Sequence, residues 1–308
     1  MIEGFFETVL RVAQYALLPG LFGWSAFWLL GLRSVDGLRA DRAPGLAVLA
    51  ALVAPVVSAA LMLMSIAAMM GVPVFDLDRA MVEAMIFGTD IGFAFIVRSG
   101  LLFAGLAAIL ALRNRRAAVV FAAGCYGSAL VTLGWSGHAA ATEGGLGLFH
   151  RLNNGIHLVS AGLWLGAIGW FLVLTIRCYK DPDVTQAHAV LRAMHAFAPK
   201  GISLVALVAV TGTVNSHLIF GLPNVAATLS TPYGILLAIK LALVAAMVAF
   251  GAHHARVSRS AATAVRLSNA YPAQTLGALQ RTLIAEFLLG LFVISLVAVF
   301  GSMSPTMM

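Results

Sequence analysis

Charged side chains are scarce in this sequence of 308 residues: 10% are Asp, Glu, Lys or Arg, whereas 61% are hydrophobic. Soluble domains typically contain about 25% charged residues. So few charges cannot keep a folded chain of this size dissolved in water, and the composition therefore excludes a soluble globular protein. The thickness of the bilayer then determines how long each structural element has to be.

Cysteines and catalytic motifs are also nearly missing. The two cysteines, Cys125 and Cys178, lie far apart in apolar stretches, so the chain has no disulfide framework and no paired-cysteine metal motif. It has no phosphate-binding loop of the Walker A type, no HExxH and no GxSxG. We therefore expect neither an ATP-driven protein nor an enzyme.

The net charge of +7 raises the question of nucleic-acid binding. Surfaces that bind nucleic acid combine clustered lysines and arginines, often with interleaved aromatic residues. In this chain the basic residues fall singly or in short groups between apolar stretches. They indicate membrane topology, and we expect no nucleic-acid partner.

Long apolar stretches occupy most of the chain. Each is long enough to cross about 30 Å of hydrocarbon as a helix, and none shows the period-two alternation of barrel strands. The sequence predicts an all-α, polytopic membrane helix bundle in which residues 1–308 form a single transmembrane domain. The eight predicted spans cover about residues 8–32, 45–70, 91–112, 116–137, 153–177, 197–221, 231–255 and 281–302.

The basic residues are distributed unevenly among the connections between these spans. Fourteen of the 19 lysines and arginines fall in the first, third, fifth and seventh connections, and only Arg79 and Arg151 fall in the others. Cytoplasmic connections of membrane proteins carry an excess of Lys and Arg. The bias therefore predicts that both termini lie outside the cytoplasm.

Side chains that can bind metal ions concentrate toward the predicted outer side. Imidazole and thioether groups together suit Cu(I), and imidazole with carboxylate suits Cu(II). Such groups occur in the fourth connection, near the outer ends of the fifth and sixth spans, and in the outer half of the second span. The candidate copper ligands are His157, His138, His217, His150, Met62 and Met69.

His157 stands out among these candidates. An imidazole ring inside a membrane helix needs a partner, because an unpaired polar group in hydrocarbon is costly. The alternative is a packing histidine that is hydrogen-bonded and has no further role, and methionine is an ordinary filler of packing gaps. We place His157 at the centre of the functional site, with His138 as the second ligand and an outer methionine or His217 as the third.

Three charged residues fall inside the predicted spans: Arg98, Lys240 and Glu286. Exposure of such a group to lipid costs at least about 2.5 kcal/mol, so each is expected to face protein or water. Lys240 and Glu286 enter the membrane from opposite sides and are placed to form an ion pair, with a role either in structure or in transport. In the fifth span, the spacing of Gly162 and Gly166 predicts close approach of another helix.

Several segments together resemble the CopD family of bacterial copper-resistance membrane proteins. The segments are SGHAAA at 136–141, IHLVSAGLWLGAIGW at 156–170, TGTVNSHL at 211–218, STPYGILLAIKLALVAAMVAFGAHHAR at 230–256 and LQRTLIAEFLLGL at 279–291. One departure is the Gly-Ala-His-His-Ala-Arg sequence at 251–256, where an Asn-Arg type of ending is expected. The positions that match the family pattern are His138, His157, Trp164, Asn215, Tyr233, Lys240 and Glu286.

The resemblance implies a multi-pass protein of the bacterial inner membrane that takes part in copper resistance. It further implies uptake of a copper ion, as Cu(I) or Cu(II), from the periplasm. The expected partners are the lipid bilayer and a small periplasmic copper-binding protein. The resemblance also implies structural or transport-related roles for Trp164, Asn215, Lys240 and Glu286.

Two other functions stay open on the sequence alone. His157 with His217 or His138 also fits the axial ligation of a b-type haem, which would make the chain an electron-transfer protein. Alternatively, the chain docks a periplasmic copper chaperone and transports nothing. Optical absorption and metal content separate haem from copper, and uptake into sealed vesicles separates transport from docking.

The distribution of basic residues makes a direct prediction about topology. A reporter enzyme that is active only in the periplasm should be active when fused after Met308 and inactive when fused after Asn114, in the third connection. A reporter that is active only in the cytoplasm, fused at the same two positions, serves as the control and should show the reverse pattern. Activity of the cytoplasmic reporter after Met308 would place every candidate ligand on the wrong side.

Overall fold

The protein is an all-helical bundle in a computed structural model. The model describes residues 2–33, 35–39, 45–268, 271–301 and 303. Within these ranges eight helices are long and apolar enough to cross a membrane and no residue lies in a strand, so the predicted fold class is confirmed. The helices are α1 (Ile2–Phe27), α2 (Gly45–Met70), α3 (Arg79–Gly88), α4 (Asp90–Ala111), α5 (Arg115–Val131), α6 (Gly144–Lys180), α7 (Val184–Phe220), α8 (Val225–Leu229), α9 (Pro232–Ser268) and α10 (Ala273–Phe300).

All of these helices except the short α3 and α8 qualify as spans, and α1 is prolonged by a π-helical turn at Trp28–Leu32. Because the number of spans is even, the chain begins and ends at the same face of the bundle, which we call the terminal face. The opposite face is called the basic face, because Arg113, Arg177 and Lys180 lie there. That the terminal face is periplasmic stays a prediction.

Five spans are longer than the sequence predicts. α1 begins at Ile2 rather than at 8, α6 at Gly144 rather than at 153, α7 at Val184 rather than at 197, and α10 at Ala273 rather than at 281, and α9 ends at Ser268 rather than at 255. Hydropathy marks only the part of a helix that lies in hydrocarbon, whereas the helix itself continues wherever its side chains pack. In the added turns of α7, for example, Ala187 and Leu191 are fully buried.

The connection between α2 and α4 contains the short helix α3. Asp78 caps α3, since its Oδ1 accepts a hydrogen bond from Met81 N at 2.8 Å. Thr89 caps α4 in the same way, with its Oγ1 accepting from Gly92 N at 3.0 Å. Each cap satisfies a backbone N–H that has no partner within the helix.

α1 and α6 cross at the centre of the bundle, with α2, α4 and α5 to one side and α7, α9 and α10 to the other. A Cβ atom on Gly23 of α1 would lie 2.0 Å from the carbonyl oxygen of Gly162 and 2.9 Å from Cα of Gly166. Beside this contact, Trp24 stacks on Trp170 with ring centroids 3.8 Å apart. The predicted close approach at Gly162 and Gly166 is confirmed, and α1 is the helix that makes it.

This contact predicts a difference between two neighbouring glycines of α6. Gly166→Ala would place its Cβ 2.3 Å from the carbonyl carbon and oxygen of Gly23, which is backbone and cannot rotate away. Overpacking of this kind typically costs about 1–3 kcal/mol, so Gly166→Ala should lower the thermal unfolding temperature in detergent.

Gly169→Ala is the matched control, because its Cβ would meet only the Phe287 ring at 3.9 Å. Alanine has the higher helix propensity, so this variant should unfold at the same temperature as the parent or slightly above it. Equal stability of the Gly166 and Gly169 variants would contradict close packing of α1 on α6.

Candidate metal site near the terminal face

A polar network joins α6 to α7 near the terminal face. Asn153 Nδ2 donates to the main-chain oxygen of Thr211 at 2.9 Å and to Asn215 Oδ1 at 2.7 Å. Asn215 Nδ2 in turn donates to Asn154 Oδ1 at 3.4 Å. One turn further along α6, His157 Nδ1 lies 3.0 Å from Thr211 Oγ1. The network therefore ends on the ring of His157 and fixes its position.

The hydrogen bonds of Thr211 determine the tautomer of His157. A threonine hydroxyl has a single hydrogen, and the Thr211 hydroxyl donates it to the carbonyl oxygen of Leu207 at 2.6 Å. Thr211 Oγ1 is then placed to accept from His157 Nδ1, and the backbone of Val208 is a further hydrogen-bond partner of the ring. A neutral ring with its hydrogen on Nδ1 has its lone pair on Nε2. Histidines that bind metal ions have this arrangement, with one nitrogen donating to a fixed partner and the other free to coordinate.

Gly212 and Lys240 complete the surroundings of His157. A Cβ atom on Gly212 would lie 3.3 Å from His157 Cε1, so the glycine allows α7 to pass close to the ring. Lys240 of α9 is near enough to interact electrostatically with His157, and its Nζ lies 5.9 Å from the centroid of the Phe300 ring. Three helices and the end of α10 therefore surround this site.

His150 does not lie in a connection, and that prediction is wrong. Because α6 begins at Gly144, His150 is part of the helix and is buried. Its Nδ1 lies 2.9 Å from Thr142 Oγ1. His157 is seven residues further along the same helix, about 10 Å along its axis. The two histidines share a helix face, but each has its own partner.

His217 is exposed and is not brought to His157. It lies six residues after Thr211 and on a different side of α7, and its Nδ1 accepts from Leu222 N at 3.4 Å. His138 begins a 3-10 turn, His138–Ala141, that packs against α6. The side chain of His138 lies outside the described part of the structure, so its predicted role as second ligand stays a prediction.

The two candidate methionines lie in the other half of the bundle. Met62 is buried, and Met69 is 49% exposed. Both belong to α2, which packs against α1, α3 and α4, whereas His157 faces α7. Across the described ranges, no group of three or more His, Cys, Asp or Glu side chains is arranged to bind a metal ion. In the described structure, His157 is therefore joined by none of these other candidates.

The suggested ion pair between Lys240 and Glu286 is wrong. Glu286 Oε2 lies 3.2 Å from His254 Nδ1 instead. Since α10 begins at Ala273, Glu286 lies in the middle of the helix, 14 residues before Phe300, whose ring Lys240 approaches. Fourteen residues of helix span about 21 Å, which is too far for a contact.

Three further residues that the sequence singles out lie inside the bundle. Trp164 is buried in the apolar core, two turns from His157 toward the basic face. Tyr233 packs with its ring centroid 5.3 Å from that of Phe300 at the terminal face. Arg98 is buried on α4, in the other half of the bundle, and its Nε has no hydrogen-bond partner in the described structure.

Sequence reasoning missed Asn153 and Thr211, which hold the site together. Each lies four residues before another polar residue: Asn153 before His157, and Thr211 before Asn215. Residues four apart share a helix face. Two such pairs in neighbouring apolar helices are the signal from which the network could have been found.

The fold and the site define a polytopic α-helical membrane protein with an oriented histidine inside its bundle. Two family models match the chain: "Copper resistance protein D-like, N-terminal domain" at residues 1–148 and "Copper resistance protein D" at residues 191–300. The chain belongs to the copper resistance protein D family. Residues 149–190, which contain His157, lie between the two matched regions.

Three relatives share this similarity. Copper resistance protein D from Pseudomonas syringae pv. tomato is 29% identical over 304 residues, 98% of this chain and 97% of its own length. "Copper transport protein CutJ" from Bacillus subtilis (strain 168) is 29% identical over 56% of this chain and 28% of its own length. "Inner membrane protein YebZ" from Escherichia coli (strain K12) is 33% identical over 38% of each chain. No solved structure matches the chain.

The geometry predicts that Thr211 orients His157 for binding. Thr211→Val keeps the shape of the side chain but removes the oxygen that accepts from His157 Nδ1. Loss of such a partner typically lowers metal affinity by about 10- to 100-fold, so the variant should bind copper about that much more weakly in a competition assay with a chelator.

Thr213→Val is the control for this substitution. Thr213 is exposed on the same helix, and its hydroxyl donates only to the carbonyl oxygen of Ala209. This variant should bind copper as the parent does. An unchanged affinity in Thr211→Val would show that Thr211 is not required to orient the ring.

Proposed function

We propose that this chain accepts copper at the terminal face and passes it across the bacterial inner membrane into the cytoplasm, in copper homeostasis or resistance. The observation that carries the proposal is the His157 ring, which lies near one end of the bundle and is held at Nδ1 by Thr211. Membership in the copper resistance protein D family supports copper as the transported ion. The proposal treats residues 1–308 as one transmembrane domain.

The proposed first ligand is His157, and the proposed second ligand is His138. The turn at His138–Ala141 packs against α6, the helix that carries His157, which keeps the two residues in the same region of the bundle. Gly137 precedes the turn with φ of 74°, a conformation that glycine adopts without strain. The positions of Met62, Met69, His150 and His217 give them no part in this first site.

The proposed direction of transport depends on topology. The basic connections favour a cytoplasmic basic face and a periplasmic terminal face. On this arrangement, copper reaches His157 from the periplasm, and a periplasmic copper-binding protein is the proposed donor. A docking protein that transports nothing needs the same surface, so vesicle uptake distinguishes the two functions.

The haem alternative has no specific support in the described structure. Axial ligation of a b-type haem needs a second imidazole opposite His157. Of the two imidazoles that the sequence offers, His217 is exposed on another side of α7, and the side chain of His138 lies outside the described part of the structure. Absorption in the Soret region after purification would establish haem, and copper without that absorption would exclude it.

The central test is copper binding by purified protein in detergent. His157→Ala should lose stoichiometric binding of Cu(I), measured anaerobically by metal analysis, because it removes the ring that the network orients. His217→Ala is the matched control, since His217 is exposed and lies away from the site; it should bind as the parent does. Parental binding by His157→Ala would make His157 a packing residue.

Copper uptake into vesicles tests whether the protein transports the ion as well as binding it. Sealed vesicles that contain the parent should accumulate copper, whereas vesicles with His157→Ala should not. Binding without uptake by the parent would support the docking function instead. Both variants should elute at the same volume as the parent in size-exclusion chromatography, which excludes misfolding as the cause.

A further inference from the structure

A second buried polar cluster lies between α9 and α10, toward the basic face. His254 and Glu286 are 7% and 1% exposed, and His254 Nδ1 lies 3.2 Å from Glu286 Oε2. The other ring nitrogen, His254 Nε2, lies 2.8 Å from Thr282 Oγ1. These three side chains are distinct from the network around His157. The resemblance implies only a structural or transport-related role for Glu286, without saying which, and the function proposed above does not use the three residues.

The hydrogen bonds of Thr282 show where the protons of this cluster lie. The Thr282 hydroxyl donates to the main-chain oxygens of Leu279 at 3.0 Å and Ala278 at 3.2 Å, so its one hydrogen is already used. Thr282 Oγ1 therefore accepts from Nε2–H of His254. A neutral ring then presents a lone pair on Nδ1 to the oxygen of Glu286.

His254 Nδ1 and Glu286 Oε2 lie 3.2 Å apart in the protein interior. Two hydrogen-bond acceptors at this distance repel each other unless a proton lies between them. The His254 and Glu286 pair must therefore hold one proton, either as imidazolium with carboxylate or as imidazole with carboxylic acid. In both forms the pair is neutral overall, which suits the interior of a membrane protein. Loss or gain of a proton would leave a net charge there, at a cost that another charge nearby can offset.

Among the described side chains, no other ionisable group forms an ion pair or a hydrogen bond with His254 or Glu286. The other described ionisable side chains in the basic-face halves of the packed helices are Arg33 beyond α1, Arg177, Cys178, Tyr179 and Lys180 on α6, His188, Arg192, His195 and Lys200 on α7, His253, Arg256 and Arg259 on α9, and Arg281 on α10. The side chain of Arg266, also on α9, lies outside the described part of the structure.

A further histidine lies beside this pair. The His253 ring is exposed, and its centroid lies 6.1 Å from that of His254. Because the two nitrogens of His254 face Thr282 and Glu286, His253 is a neighbour of the pair rather than a hydrogen-bonded part of it. Buried carboxylate and histidine side chains mark proton pathways in membrane transporters.

We propose that His254 and Glu286 form a proton-binding site in the basic-face half of the bundle. The site binds one proton between Nδ1 and Oε2 and exchanges it with water at the basic face. Lys240 of α9 lies near His157. His254 lies 14 residues after Lys240 on the same helix, so the two sites are about 21 Å apart along the helix axis. A cation that moves from one site toward the other would release the proton, which keeps the total charge constant.

Only this coupling to a cation depends on the copper function proposed above, whereas proton binding by the pair does not. Infrared difference spectroscopy of the purified parent tests proton binding directly, by comparing acidic and alkaline samples in the absence of metal. A carbonyl or carboxylate band of Glu286 should change with pH and should be missing in Glu286→Gln, which keeps the size of the side chain. Glu83→Gln, on exposed α3, is the control and should keep the band.

His254→Gln gives a second, independent readout. A glutamine can hydrogen-bond to the carboxyl group but cannot take over the shared proton as an imidazole does, so the Glu286 band should differ from that of the parent. A Glu286 band that is constant with pH in the parent would overturn the proposal and leave a permanent structural pair. A pH-dependent parent band that is unaltered in both variants would also overturn it.

The coupling is tested in vesicles that contain a pH-sensitive dye. Copper uptake by the parent should be accompanied by movement of protons in the opposite direction, and Glu286→Gln should lose this proton movement while binding copper at His157 as before. Equal proton movement in the parent and in Glu286→Gln would overturn the coupling. A titrating Glu286 in a protein that binds no copper would refute the proposed copper function and leave the proton site standing.

Discussion

A polar group inside hydrocarbon has to find its partner within the protein, and this constraint explains both polar clusters. Asn153, Thr211 and Asn215 satisfy one another across α6 and α7, and His157 completes that network. His254 with Glu286 satisfies the same requirement across α9 and α10. The same helices also supply buried apolar core residues, which include Trp164 of α6 and Met247 of α9.

Close packing of α1 on α6 gives these clusters a rigid support. Gly23 and Gly166 bring two backbones into contact, and the adjacent ring of Trp170 stacks on Trp24 and donates its Nε1–H to the main-chain oxygen of Trp24 at 2.8 Å. Because α6 is fixed by α1 on one side, its other side presents His157 to α7 in a single orientation. A change far from the site, at Gly23 or Gly166, is therefore expected to disturb it.

The two clusters suit a protein that moves an ion rather than one that only stores it. On the functions proposed above, the first cluster would hold the incoming ion at His157, and the second would exchange a proton as the ion moves. The predicted topology, with the basic face in the cytoplasm, would then set the direction of transport.

The sequence by itself determined the fold class, the number of spans and the glycine contact on α6, because hydropathy and small-residue spacing are local properties of a helix. It also singled out His157. Only the tertiary structure decided the partners: Thr211 and Asn153 were missed, His150 proved to be helical, and Glu286 pairs with His254 rather than with Lys240. Which side chains contact each other depends on the residue at which each helix begins and on its axial position relative to the neighbouring helix. Hydropathy does not report either quantity, since helices extend beyond the hydrocarbon wherever their side chains pack.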